Sequence, residues 1–370
     1  MSQPVLSRLF GRPAAGREDL LAGPIRGELL GAEHLAERAR VLAAGQRLAR
    51  RGRADRRTLL LNRLDATRRI LDEVHARLEA VAAGDGDVTP AGEWFLDNYH
   101  VIQEHIREVR ESLPRGYYRE LPELAPGGSL AGYPRVYELA ITLISHSEGR
   151  VASDNLNLFT SAFQDAAPLS IGELWSIPAM LRLGLIENVR RMALRTVQRL
   201  DEVDAADSAA AHILAAGEQG AGALRTALDD FVAHPPAFTP GFVSRFLSQL
   251  RLTHGAFPPL VTLEQWIADE ALPAEEAGAR SARRLALTQL TMANSITSLR
   301  TIGRLDWKGF VERQSIVEAT LRRDPAGYYD QMTFATRDRY RHVVERIAKH
   351  TGLSERAVAE RAVDLARSSR

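Results

Sequence analysis

The sequence predicts an all-α fold of about a dozen packed amphipathic helices, an irregular multi-helix bundle with no significant sheet. Three observations carry this. Apolar residues recur at steps of three and four along most of the chain. Capping residues stand at the heads of these stretches, and Gly or Pro at many of their ends. No segment alternates apolar and polar residues as a half-buried strand does. There is no fixed repeat period, which argues against a regular solenoid.

The clearest helix lies within Thr89 to Tyr118. Phe95, Tyr99, Ile102, Ile106, Val109 and Leu113 form one stripe, Thr89 caps the start with Pro90 behind it, and Pro114 ends it. Its outward face alternates Glu104, Arg107, Glu108, Arg110 and Glu111. Its first turns carry Glu93, Trp94, Asp97, Asn98 and His100, a polar and aromatic set that a plain surface helix does not need.

Taken in order, residues 1–22 hold Gly, Pro and Arg without periodicity and read as a mobile arm. A short helix follows within 24–46. A long one spans about Arg56 to Ala83, with Leu60, Leu64, Leu71, Val74 and Leu78 inward. AAGDGDVTP breaks the chain before the helix described above. The segment from Pro114 to Gly132 is a Pro- and Gly-rich loop, and a helix runs from Tyr133 to near Ser147. Asp154 is placed to cap the next. Ser170 and Glu173 form a capping box for a helix reaching about Leu200, with Pro178 predicting a kink or a late start. A looser Ala- and Asp-rich region follows, with one helix around 206–233.

HPPAFTPG is the strongest punctuation and divides the expected organisation into helical subdomains 23–234 and 235–370. Thr239 and Pro240 open a helix carrying Phe242, Phe246 and Leu250. Thr262 and Gln265 form a second capping box. A long helix runs from about Ala274 to Ile302 and stops at Gly303. Asp306 and Ser354 cap later helices, Asp324-Pro325 starts a short one, and Thr336 precedes one that stops at Gly352.

The net charge is +1, with 26% charged residues, so no global field points to nucleic acid. Of the 48 basic residues only Lys308 and Lys349 are lysine, which reads as a coding bias. There is no cysteine, hence no disulfide, thiol nucleophile or thiolate metal site. No apolar run approaches the roughly 20 residues of a membrane span, and the N-terminus lacks a signal-peptide core.

Several residue groups have the make-up of a functional site, each with an ordinary structural alternative. Asp85-Gly86-Asp87 matches a D-x-D metal pattern, but it lies between helices with no strand before it, so the turn reading prevails. His100 and His105 stand about 140° apart on a helix and cannot share a metal. Glu93 and Asp97 share a face as an acid/base pair or as arginine partners. Nine arginines fall between Arg47 and Arg69; Arg50, Arg51, Arg53, Arg56 and Arg57 are candidates for contact with an anionic surface or RNA, or form a solvated face. No aromatics interleave them, against single-stranded nucleic acid. Tyr117, Tyr118, Arg119, Tyr133 and Arg135, with Tyr137, line a sugar or staple a loop to the core. Trp175, Trp266 and Trp307 read as core anchors.

EWFLDNYHVIQEHIREVRESLP, GYYRELPEL, LAGYPRVYELA, IGELWSIPAMLRLGLIENVRR, LRRDPAGYYDQMTFATRDRYRHVVERIA and GPIRGELLGAEHLAERAR together resemble the N-terminal region of the bacterial cyclic β-1,2-glucan synthases. The likeness covers about residues 18–370. The resemblance implies a cytosolic helical module of a very large inner-membrane enzyme, whose processive glucosyltransferase unit uses UDP-glucose and which carries a phosphorylase-like domain nearer the C-terminus. It implies a fragment of such an enzyme or a gene product separated from its catalytic partner. The transferase signatures, a D-x-D at a strand end and Q-x-x-R-W, are absent from these residues.

The resemblance therefore implies an accessory domain that braces or regulates the membrane-bound glucosyltransferase, with no catalytic residue, metal or cofactor of its own. Its expected contact surface is Glu93, Trp94, Asp97, Asn98 and His100, joined by Tyr117, Tyr118, Arg119, Tyr133 and Arg135. Expected partners are that unit and anionic lipid headgroups, not nucleic acid. Two alternatives stay open: a domain that itself binds or processes a glucan or nucleotide sugar, and a free-standing helical adaptor.

Overall fold

A computed structural model of the chain describes residues 25–49, 58–84, 86–253, 260–271 and 273–368. The expected arm over 1–22 and the arginines Arg50, Arg51, Arg53, Arg56 and Arg57 lie outside the described residues, as does Asp85 of the D-x-D pattern. Among the described residues there are seventeen helices and no strand, with two isolated bridges, Leu48–Leu124 and Glu123–Pro134.

The helices are α1 (Ala32–Gly45), α2 (Leu59–Ala83), α3 (Pro90–Asp97), α4 (Tyr99–Ser112), α5 (Arg115–Tyr118) and α6 (Arg135–His146). Then come α7 (Ser153–Ala166), α8 (Ile171–Gln219), α9 (Ala221–Ala233), α10 (Pro240–Thr253), α11 (Leu260–Glu270) and α12 (Ala274–Arg304). The last are α13 (Trp307–Gln314), α14 (Ile316–Leu321), α15 (Tyr328–Gln331), α16 (Phe334–Thr351) and α17 (Glu355–Ser368).

Several expected caps are present. Thr89 accepts from the Gly92 N–H and Asp306 from that of Gly309. Ser354 accepts from Ala357 and Thr239 from Phe242. The Ser170–Glu173 box is reciprocal: Glu173 N–H donates to the Ser170 hydroxyl, and Glu173 accepts from the Ser170 N–H.

Other expectations are corrected. The predicted helix after Thr89 is two helices, because Asn98 leaves helical geometry (φ −113°, ψ 13°) and its amide donates to the Trp94 carbonyl at 2.7 Å. The stripe from Phe95 to Leu113 is nevertheless buried throughout. Asp154 does not cap α7; Ala152 holds that position, and its N–H donates to the Asn155 side chain. Thr262 and Gln265 lie inside α11, where Gln265 donates to Asp269. The cap of α16 is Thr333, three residues ahead of Thr336. The Pro114–Gly132 loop contains α5.

Helix α8 starts at Ile171 and runs through Pro178 and Leu200 to Gln219 as one helix of 49 residues. The Asp- and Ala-rich segment expected to be loose stays helical for two reasons. Alanine is the best helix former, and two of the carboxylates have partners: Asp201 pairs with Arg77, and Asp207 with Arg245 and Gln249. The helix stops at Gly220, whose φ of 115° is open to glycine at little steric cost.

The chain falls into two compact units built from discontinuous segments. One comprises Ile70–Tyr99 and Arg190–Ala293. Its core joins Phe231, Phe242, Phe246, Leu250, Ile267 and Ala277, with the Phe246 ring stacked on Phe231 at 5.0 Å and on Phe242 at 5.4 Å. Each such fully buried phenylalanine stabilises by roughly 1.5–3 kcal/mol.

The second unit comprises Asp19–Arg69, His100–Val189 and Asn294–Arg370. Here α1 packs on α7, and α14 packs on α17. Ile171, Val317, Tyr329, Val344, Val358 and Ala359 form one of its cores. Arg341 is fully buried in this unit, bonded to Glu318 and Asp338 with its guanidinium 5.0 Å from the Phe334 ring centre. Tyr329 donates to the same Glu318 carboxylate at 2.7 Å, and burial pushes its phenol above the usual range.

Candidate functional site

The residues singled out in sequence divide between the two units. In the first, α3 exposes Glu93, Trp94 and Asp97, with Trp94 38% exposed. Glu93 and Asp97 have no ion-pair partner among the described residues. Asn98 is buried, because its amide closes the end of α3. Tyr99, next along, stacks on His75 at 4.0 Å and donates to Asp72. His100 is exposed and belongs to the second unit.

Also in the second unit, the loop group is largely structural. Tyr118 is wholly buried and its hydroxyl accepts from the Leu60 N–H at 3.4 Å. Tyr117 donates to the Gly172 carbonyl. Burial pushes both phenols above their ordinary range. Arg135 is buried against Glu173 and the Pro168 carbonyl, 5.9 Å from the Phe163 ring centre. Tyr118 and Arg135 are therefore interior residues rather than surface contacts. A buried guanidinium requires a carboxylate, and a buried phenol requires a hydrogen-bond partner. Tyr133 is half-buried, edge-on to Tyr137 at 5.6 Å, and Arg119 is exposed. His105 is buried between Arg182 and Glu108, and burial with the Arg182 charge lowers its pKa.

A different cluster appears in the first unit. A cavity of about 180 Å³ is lined by Arg195 and Arg199 of α8, Arg284 and Ser281 of α12, and the first turns of α3 and α10. Glu202 is the carboxylate on its wall, 3.9 Å from Arg199 and 3.7 Å from Arg284, with its side chain 10% exposed. Arg284 also donates to Gln198 at 2.6 Å. Arg195 makes no hydrogen bond or ion pair among the described residues, and Nη1 of Arg199 is buried without a hydrogen-bond acceptor. Burial, then the positive charges of Arg284 and Arg191, push the Arg195 pKa down. Gly241 sits so close that a Cβ there would lie 2.0 Å from Glu202 Oε2 and 2.5 Å from Arg199 Nη1.

This cluster is only half legible in the sequence. Arg191, Arg195 and Arg199 recur at steps of four, a detectable stripe, but Arg284 lies on a helix far along the chain. Only folding brings the two walls together. Among the described residues no group of three His, Asp or Glu side chains stands where a metal could be held, and no helix is long and apolar enough to cross a membrane.

No family model matches the chain. Comparison with curated proteins is more informative. The chain is similar to a region of a cyclic β-(1,2)-glucan synthase. That protein is NdvB of Rhizobium meliloti (strain 1021), 34% identical over 299 residues, or 80% of this chain. The chain spans about 10% of the length of this relative. The quoted motifs thus resemble one segment of a much larger synthase.

Proposed function

We propose that the chain acts in cyclic glucan synthesis as a helical accessory region. It braces or regulates a membrane-bound, UDP-glucose-dependent glucosyltransferase unit from the cytosolic side. The observation that carries this reading is the 34% identity to NdvB over 80% of the chain. The exposed face of α3, with Glu93, Trp94 and Asp97, is the proposed contact surface. Trp94 offers a partner a large apolar area that stands beside two carboxylates.

Three measurements test this. Deleting the coding region for 25–368 in its host, with any sequence joined to it kept in frame, is expected to abolish or strongly reduce cyclic glucan. Unchanged output removes the accessory role. The isolated chain is expected to turn over no UDP-glucose; measurable consumption supports instead a domain that processes the nucleotide sugar itself. A triple substitution of Glu93, Trp94 and Asp97 by alanine is expected to reduce glucan output while leaving thermal stability nearly unchanged, since all three side chains are exposed.

A further inference from the structure

We propose that the arginine-lined cavity of the first unit binds a phosphate-type oxyanion. This inference goes beyond the role in glucan synthesis and stands without it.

Charge is the first reason. Three guanidinium groups, Arg195, Arg199 and Arg284, surround the cavity, and the carboxylate on its wall is Glu202. Arginine does not lose its proton under ordinary conditions, so the wall keeps an excess of about two positive charges. Arg195 and Arg199 are one turn apart on α8, a spacing at which like charges repel. A phosphoryl group carries close to two negative charges near pH 7, which matches the excess.

Unused donors are the second reason. Arg195 has no acceptor among the described residues, and Nη1 of Arg199 is buried without one. Ser281, 7% exposed, lines the cavity and its hydroxyl makes no hydrogen bond among the described residues. Ala91 lies on the wall at the second position of α3, where a backbone N–H has no intrahelical acceptor and the helix dipole favours an anion. Guanidinium forks, a hydroxyl and a first-turn amide are the donor types that hold tetrahedral oxyanions.

Space is the third. A cavity of about 180 Å³ is comparable to the roughly 150 Å³ cavity that accepts a benzene ring. It admits a phosphoryl group with some water. Gly241 leaves room for the Arg199–Glu202 pair, since a side chain there would have to displace the ends of both.

The test is thermal unfolding of the whole chain, titrated with inorganic phosphate at ionic strength held constant with chloride. Phosphate is expected to raise the melting temperature in a saturable way. Arg195→Gln and Arg284→Gln are each expected to weaken phosphate binding at least tenfold, and Ser281→Ala several-fold. Without phosphate, Arg195→Gln is expected to melt no lower than the parent, because it removes an uncompensated charge; a merely structural arginine would show a loss. Adenosine 5′-monophosphate distinguishes the source of the phosphoryl group. Tighter binding than inorganic phosphate indicates the head of a larger molecule, and equal or weaker binding indicates free phosphate. The proposal is overturned if phosphate gives no rise beyond that of chloride, or if the folded variants respond as the parent does. Should Arg195→Gln fail to fold, Arg284→Gln and Ser281→Ala decide the matter.

Discussion

Glu173 accepts hydrogen bonds from the Ser170 backbone N–H and from the Arg135 guanidinium, each at 2.9 Å. One carboxylate thus starts the longest helix of the chain and anchors the head of α6. Both side chains are buried. Arg135→Met is expected to destabilise by about 3–5 kcal/mol, because it leaves the Glu173 charge buried without its cation. The double variant with Glu173→Gln is expected to cost clearly less than the sum of the two single losses. Urea unfolding of the four proteins measures this coupling.

Arg341 offers a contrast. It is fully buried on Glu318, but that carboxylate also holds Arg322 and Tyr329 and lies 3.3 Å from Arg337. Removing one donor of several leaves the charge compensated. Arg341→Met is expected to cost about 1–3 kcal/mol, less than Arg135→Met, as read from the same urea midpoints.

Glu355 links stability to pH. It stands at the first position of α17 and accepts from the Ile171 N–H at 2.9 Å. Burial first, then the charges of Glu345 and Glu173, push its pKa up from 4.5 to about 7, against the opposing effects of that hydrogen bond and Lys349. The folded form therefore holds a proton that the unfolded chain has released. Its stabilisation is complete below about pH 4.5, is lost as pH rises to about 7, and is absent above. The loss amounts to up to about 3 kcal/mol. Glu355→Gln is expected to flatten this part of the stability profile between pH 4.5 and 7, measured by chemical unfolding at each pH.

Gly184 lies in α8 against α6, where a Cβ would stand 2.6 Å from Ile144 Cδ1. Alanine would favour the helix by about 1 kcal/mol, but overpacking of a filled core costs about 1–3 kcal/mol. Gly184→Ala is therefore expected to be neutral to destabilising by about 2 kcal/mol. In an Ile144→Val background, which removes the clashing methyl, the same change is expected to become stabilising. Melting temperatures of the two pairs give the sign.

Much of the helical pattern was legible because burial and capping are local. Every residue of the Phe95–Leu113 stripe is buried, and the Ser170–Glu173 box closes as its spacing implies. The break at Asn98 was not legible, because Phe95 and Tyr99 keep the stripe continuous across it. Neither was the length of α8. Its Asp residues suggest turns, but the alanines around them favour the helix, and Asp201 and Asp207 find partners in Arg77 and Arg245 of other helices.

By itself the sequence determined the helical class, several helix starts, the buried stripes and the likeness to a glucan synthase segment. Each rests on residues close together in the chain or on their order. Tertiary structure alone decided which polar residues are interior and which are offered to solvent. It placed Tyr118 and Arg135 inside, left Trp94 outside, and set Arg195 and Arg199 across a cavity from Arg284. The physical reason is that helical periodicity specifies a face but not what that face meets. Charge compensation depends on side chains brought from helices distant in sequence.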